Sequence, residues 1–201
     1  MATNSPPRSV LLIGKSQLVL DDAVAGLRDL GHNAGATNDF ADVTARFDMN
    51  ETDLVVFGGQ LPPDRKAELR AEISAINPRI IFVQGLAGIP GLIVNQVEGA
   101  LASHDHDPNA ATTFTPETRS IRLTLTGPAD VKVTLWWQTS FVPPDPKSDS
   151  LLLLDDRLPA GDHAIPVPDL VPPKAAFATV QVDAAIHAFS IATEQRPSVG
   201  Q

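Results

Sequence analysis

Three apolar runs in the first half of the chain lead into small or polar residues able to hold a ligand. Ser9–Gly14 leads into Lys15-Ser16, Asp53–Phe57 into Gly58-Gly59, and Arg79–Val83 into Gln84-Gly85. Glycine at a strand end lets the backbone approach a ligand closely, and a helix starting just beyond it attracts negative charge. Gly14, Lys15, Ser16, Gly58, Gly59, Gln84 and Gly85 therefore form the candidate site, and its ligand would be a nucleotide or another small anion. The same glycines also suit tight turns for steric reasons alone. Neither standard phosphate signature is complete. A phosphate-binding loop needs glycine five residues before Gly14, where Ser9 stands, and no G-x-G-x-x-G follows Gly14.

Other reactive side chains do not assemble into a catalytic set. There is no cysteine, so thiolate chemistry and disulfides are excluded. Gly-x-Ser-x-Gly does not occur, and neither Ser16 nor Ser140 has a recognisable base. Asp155-Asp156 are adjacent, and on an extended chain they would point to opposite sides, which suits a turn better than an acid–base pair. In His104-Asp105-His106-Asp107 only the two histidines would share a side, so a solvated linker is expected and no metal is assigned. His32, His163 and His187 read as hydrogen-bonded surface or core residues. No cofactor is assigned, and the balance falls on a non-enzymatic protein.

The aromatic doublet Trp136-Trp137 is a second kind of feature. Alternation puts Trp137 in a core with Leu135 and Val133, and turns Trp136 to the opposite face. Trp136 then packs on the first half of the chain, meets a protein partner or second copy, or stacks on carbohydrate. With Phe141 and Val142 it forms the candidate interface.

Charge narrows the partners. The chain carries 15 basic and 24 acidic residues for a net charge of −9, and both halves are acidic. Nucleic acid and anionic membranes attract basic stripes. Here the densest basic cluster, Arg65, Lys66 and Arg70, is interleaved with Asp64, Glu68 and Glu72, so neither partner is expected. A hydrophobic share of 43% with no apolar run near ~20 residues indicates a folded chain without a spanning helix. Met1–Pro7 has no charged-then-apolar pattern, and a cytoplasmic location is the expectation.

The elements that must position these residues differ between the two halves. Over 9–101, apolar strands alternate with helical patterns: Leu20, Val24, Leu27 and Leu30; Phe40, Val43 and Phe47 with Asp39 as N-cap; Leu69, Ile73 and Ile76; then Ile93, Val94, Val97 and Leu101. Alternating β and α elements imply a four-stranded parallel doubly wound sheet. Residues 102–115 read as a linker. Over 116–193 the period becomes two, as in Ile121, Leu123, Leu125 and in Val131, Val133, Leu135, Trp137. About six strands are expected there, separated by turns such as Gly127-Pro128 and Pro172-Pro173. The fold class is α/β plus all-β, with a small antiparallel β-sandwich second. Residues 1–8 and 194–201 are expected to be disordered ends.

Within 9–101 the run VLLIGKSQLVLDDAVAGLRDLGH, followed by DLVVFGGQLPP, resembles a two-component receiver domain in element order, strand spacing and Leu61-Pro62 after the third strand. The resemblance implies an acidic pair after strand one, a phospho-accepting aspartate ending strand three, and a threonine or serine ending strand four. Gly14-Lys15, Gly58 and Gln84 stand at those positions. The fifth strand with its lysine has no counterpart. No functional residue carries over, and the scaffold lacks the phosphorylation chemistry. The second half is similar to a fibronectin-like or immunoglobulin-like sandwich without the cysteine pair.

Two functions remain. One is a non-enzymatic interaction or scaffolding protein that self-associates or binds a protein partner. The other is a sensor, or a degenerate enzyme, binding a nucleotide or anion at the glycine-lined edge.

Overall fold

The computed structural model describes residues 6–103, 110–140 and 147–193. Its first half alternates β1 (Ser9–Ile13), α1 (Gln17–Asp29), β2 (Asn33–Thr37), α2 (Val43–Arg46), β3 (Leu54–Phe57), α3 (Pro63–Ile76), β4 (Ile81–Gln84) and α4 (Pro90–Ser103). The four strands are parallel in the order β2-β1-β3-β4. Both faces of this sheet are covered, which is why β3 is apolar at every position and β1 is apolar from Val10 onward. Leu12, Leu54 and Val56 pack with α1 and α4, whereas Leu11, Ile13, Val55 and Phe57 pack with Leu69 and Ile73 of α3.

The second half contains β5 (Ala110–Thr115), β6 (Ser120–Leu125), β7 (Ala129–Ser140), β8 (Lys147–Leu158), β9 (Gly161–Pro166), β10 (Ala176–Val182) and β11 (Ala185–Ser190). They form two antiparallel sheets, β11-β10-β7-β8 and β5-β6-β9. The expected alternation builds the core between them. Ile121, Leu123 and Leu125 meet Val131, Val133, Leu135 and Trp137 together with Ala176, Ala178 and Val180. The α/β plus β-sandwich fold class is thus as expected.

Several boundaries differ from the sequence reading. α4 continues to Ser103, and Ala110–Thr115 is a strand paired with β6 rather than part of a linker. Its threonine-rich, weakly alternating pattern carries little apolar signal. Asp155-Asp156 lie within β8, opposite Lys132 and Val131, and not in a turn. The six strands expected over 116–193 are present as β6 to β11, and β5 adds a seventh from the expected linker. The second helix is only Val43–Arg46 with Asp42 as N-cap. Asp39 instead accepts a hydrogen bond from the Ala41 amide and an ion pair from Arg46. Arg8, assigned to a disordered end, donates its amide to His32 Nδ1 and its guanidinium to Asp53. The expected tail at 194–201 lies outside the described residues.

α4 joins the two halves. Its fourteen residues contain one charge, Glu98, as suits a helix buried on more than one side. Ile93, Val97 and Leu101 face the parallel sheet. Gly91 and Gly99 sit about two turns apart and face the sandwich. A Cβ on Gly91 would collide with the Trp136 ring, and one on Gly99 with the Ile186 backbone carbonyl. Trp136, Phe177 and Ser190 are cross-strand partners, as are Gln181 and Ile186, so one outer sheet face receives α4. Trp136 Nε1 donates to Thr179 Oγ1 at 3.0 Å, which fixes the ring. His32, 6% exposed, anchors the helix from behind through Nε2 to Glu98 Oε1 at 2.6 Å. Since Nδ1 accepts from Arg8, the ring proton is assigned to Nε2.

Gly99→Ala should therefore destabilise the chain by about 1–3 kcal/mol, because the Ile186 carbonyl cannot rotate away. Gly127→Ala, whose Cβ meets nothing within 4 Å, should stay within about 0.5 kcal/mol. Urea unfolding checks both, and an unchanged midpoint for Gly99→Ala would exclude the docking described.

Candidate functional site

The order β2-β1-β3-β4 reverses between β1 and β3. The chain leaving β1 enters α1 on one face, and the chain leaving β3 enters α3 on the other. A crevice opens between the two departing segments, at the carboxyl ends of the strands, where open α/β sheets bind ligands. Here the sandwich stands over that crevice and converts it into a cavity of about 830 Å³. That lies within the roughly 300–1,000 Å³ of small-molecule sites.

Six of the seven expected site residues line it: Gly14, Lys15, Ser16, Gly58, Gly59 and Gly85. Gln84 does not. Its Nε2 donates to the carbonyls of Phe57 at 3.0 Å and Gly85 at 3.2 Å, and its Oε1 accepts from Lys66 Nζ at 2.6 Å. Gln84 is a brace between strand ends, and the amide offered to a ligand on sequence grounds is already satisfied. Lys66 is engaged by that contact. Arg65, whose pKa is raised chiefly by its hydrogen bond to Glu68, is held by Glu68, Glu72 and the Phe40 carbonyl. Arg70 lies over the Phe82 ring. The basic cluster on α3 is therefore occupied locally.

The glycines are not equivalent. A Cβ on Gly58 would stand 3.2 Å from Gly14 Cα and 3.3 Å from the Ile13 carbonyl, so close packing of the two strand ends requires glycine there. A Cβ on Gly59 would meet only the Gly85 carbonyl, at 3.8 Å. Gly59 faces space.

The sequence reading missed the other wall. Gln138, Lys174, Ala175, Phe177 and Ser190 of the sandwich line the same cavity. Ala175 holds φ +50, a left-handed conformation costing a residue with a Cβ about 1–3 kcal/mol. It sits beside Lys174 at the entry to β10, so the strained turn fixes the backbone that carries that lysine. α1 begins at the cavity with Ser16 as N-cap, and the Ser16 side chain makes no capping hydrogen bond. The first-turn amides of α1 thus have no side-chain acceptor at that end.

Of the described lining residues, Lys15 and Lys174 carry charge, and none is aspartate, glutamate or histidine. Lys15 forms no ion pair with another described residue. Elsewhere among the described residues no three His, Asp or Glu side chains gather in a metal-binding arrangement. His104–Asp107 lie outside them, as do Phe141 and Val142 of the expected interface. Trp136 itself is covered by α4. No described helix is long and apolar enough to cross a membrane.

No protein-family model matches this sequence, and no curated protein matches it.

The two neighbouring glycines should separate packing from binding. Gly58→Ala is expected to destabilise by about 1–3 kcal/mol, and Gly59→Ala by no more than about 0.5 kcal/mol. Thermal and urea unfolding would measure this. Equal losses at both positions would mean that Gly59 does not face open space.

Proposed function

We propose that the protein is a binding protein, a sensor for a small organic anion held between the α/β domain and the sandwich. The observation that carries this reading is the sign of the lining. In a chain with 24 acidic and 15 basic residues, the described wall of the cavity has two lysines and no carboxylate. An acidic protein whose described residues keep this cavity free of acid is suited to a negatively charged occupant. The glycine-rich strand ends and the uncapped start of α1 support the same sign. Among the described lining residues there is no histidine or carboxylate to serve as general base for Ser16 or Ser190, which supports binding over turnover.

The alternative of a self-associating scaffold drew on Trp136 as an outward ring. Its remaining support is the open edge of the sandwich at β8, where Leu152 is 52% exposed. The anion reading rests on more residues acting together.

The test is thermal unfolding of the full chain with ribose 5-phosphate and with citrate, at low and high salt. A bound anion at 100 times its dissociation constant should stabilise by about 2.7 kcal/mol. Lys15→Ala and Lys174→Ala should each weaken binding about tenfold, and added salt should weaken it in the parent protein. No stabilisation by any anion, or stabilisation untouched by both lysine substitutions, would reject the reading.

A further inference from the structure

The two walls of the cavity have different chemistry. The α/β wall sets glycine backbone, Ser16 and Lys15, which suit a compact anionic group, among aliphatic side chains such as Leu20 and Ile93, and its described residues include no aromatic ring. The sandwich wall offers Phe177, with Gln138 and Ser190 beside it. Strand register explains this grouping. Phe177 of β10 pairs directly with Ser190 of β11 on one side and with Trp136 of β7 on the other. Gln138 is two residues beyond Trp136 and therefore on the same face. Both rings are partly buried: Trp136 lies against Gly91 of α4, and Phe177 borders the cavity.

The flanking polar groups suit the edge of a heteroaromatic ring. An amide offers a donor and an acceptor in one plane, and a hydroxyl offers either. The Gln138 side chain makes no hydrogen bond to another described residue. Its backbone amide bonds Ala175, the strained residue at the cavity wall. Ser190 Oγ has only long contacts, 3.4 Å to the Ala176 carbonyl and 3.3 Å from the Ala192 amide. A flat apolar face, an uncommitted amide and a weakly held hydroxyl thus lie opposite an anion-binding edge.

We propose that the anion is a nucleoside phosphate. The phosphate lies at the Lys15-Ser16 edge, and the base lies against Phe177 with Gln138 at its edge. This rests on the anion-binding reading above and deepens it: the first domain supplies affinity for charge, and the sandwich supplies specificity for the ring. The α/β wall alone would not distinguish a nucleotide from a sugar phosphate.

The experiment compares four nucleoside 5′-monophosphates (AMP, GMP, CMP and UMP) with ribose 5-phosphate, by calorimetry on the full chain. Stacking of a base on an aromatic side chain leads us to expect at least one nucleotide to bind about tenfold or more tightly than ribose 5-phosphate. Phe177→Leu keeps an apolar side chain and removes the ring, and it should bring that ratio close to one. Gln138→Leu should reduce the preference among the four bases. Thermal unfolding of both variants confirms that they fold. If all four nucleotides bind no better than ribose 5-phosphate, the nucleoside assignment is overturned and anion binding stands. An unchanged ratio in Phe177→Leu also overturns it. If neither the nucleotides nor ribose 5-phosphate binds, the nucleoside assignment is overturned, and if citrate fails to bind as well, the anion reading falls with it.

Discussion

The close seating of α4 on the sandwich is the constraint from which the rest follows. Burial of Trp136 requires Gly91, since any side chain there would occupy the space of the ring. The approach of β11 requires Gly99 for the same reason. The other side of α4 closes the core over β1 and β3 through Ile93 and Val97. One helix is thus part of two packed layers. Its polar contacts follow that geometry, with Glu98 turned back to the buried His32 and Gln96 holding the strand-four end through the Gln84 carbonyl and the Leu86 amide. Sub-ångström shifts of such a helix are costly because protein interiors are close-packed. The sandwich is therefore held at a defined distance from the strand ends, and the cavity is the space this distance leaves.

The second constraint is local, at the sheet. β1 and β3 end so close together that the Gly58 amide donates to the Ile13 carbonyl at 2.8 Å and a Cβ on Gly58 would stand 3.2 Å from Gly14 Cα. This contact brings two diverging chain segments to one point and narrows the crevice floor. Gln84 then ties the β4 end to the same place by donating to the Phe57 carbonyl. The residues with the strongest appearance of ligand groups divide accordingly. Gly58 and Gln84 build the edge, while Lys15, Ser16 and Gly59 border the space above it.

Much of the architecture was legible because it rests on local periodicity. Continuous apolar runs at Val10–Ile13 and Leu54–Phe57 specify strands covered on both faces, and the period-two runs around Trp137 specify a sandwich core. β5 was not legible, because Ala110–Thr115 holds its place by pairing with β6 more than by burial. Half of the candidate site was legible as glycines at strand ends. The other half was not, since Gln138, Lys174 and Phe177 become cavity residues only through domain docking. A signal for docking did exist in the composition of α4. Two glycines and a single charge in fourteen residues are poor choices for a solvent-facing helix. The direction of Trp136 then follows, because its face of β7 is the one that a charge-poor helix can cover.

A cavity shared by two domains has a thermodynamic consequence. Lys15 belongs to one wall and Lys174 to the other, so a ligand that meets both interacts fully only with the docked arrangement. Any free energy gained across that gap favours docking by the same amount, and docking in turn raises affinity for the ligand. The strained turn at Ala175 bears on this balance. A left-handed alanine persists only where its surroundings over-determine it, and here the surroundings include the β10 entry and the hydrogen bond to Gln138. The backbone that carries Lys174 is thereby fixed before a ligand arrives, which lowers the backbone entropy lost on binding. The domain interface and the binding site are in this sense one structure, with α4 fixing the spacing and the charged walls using it.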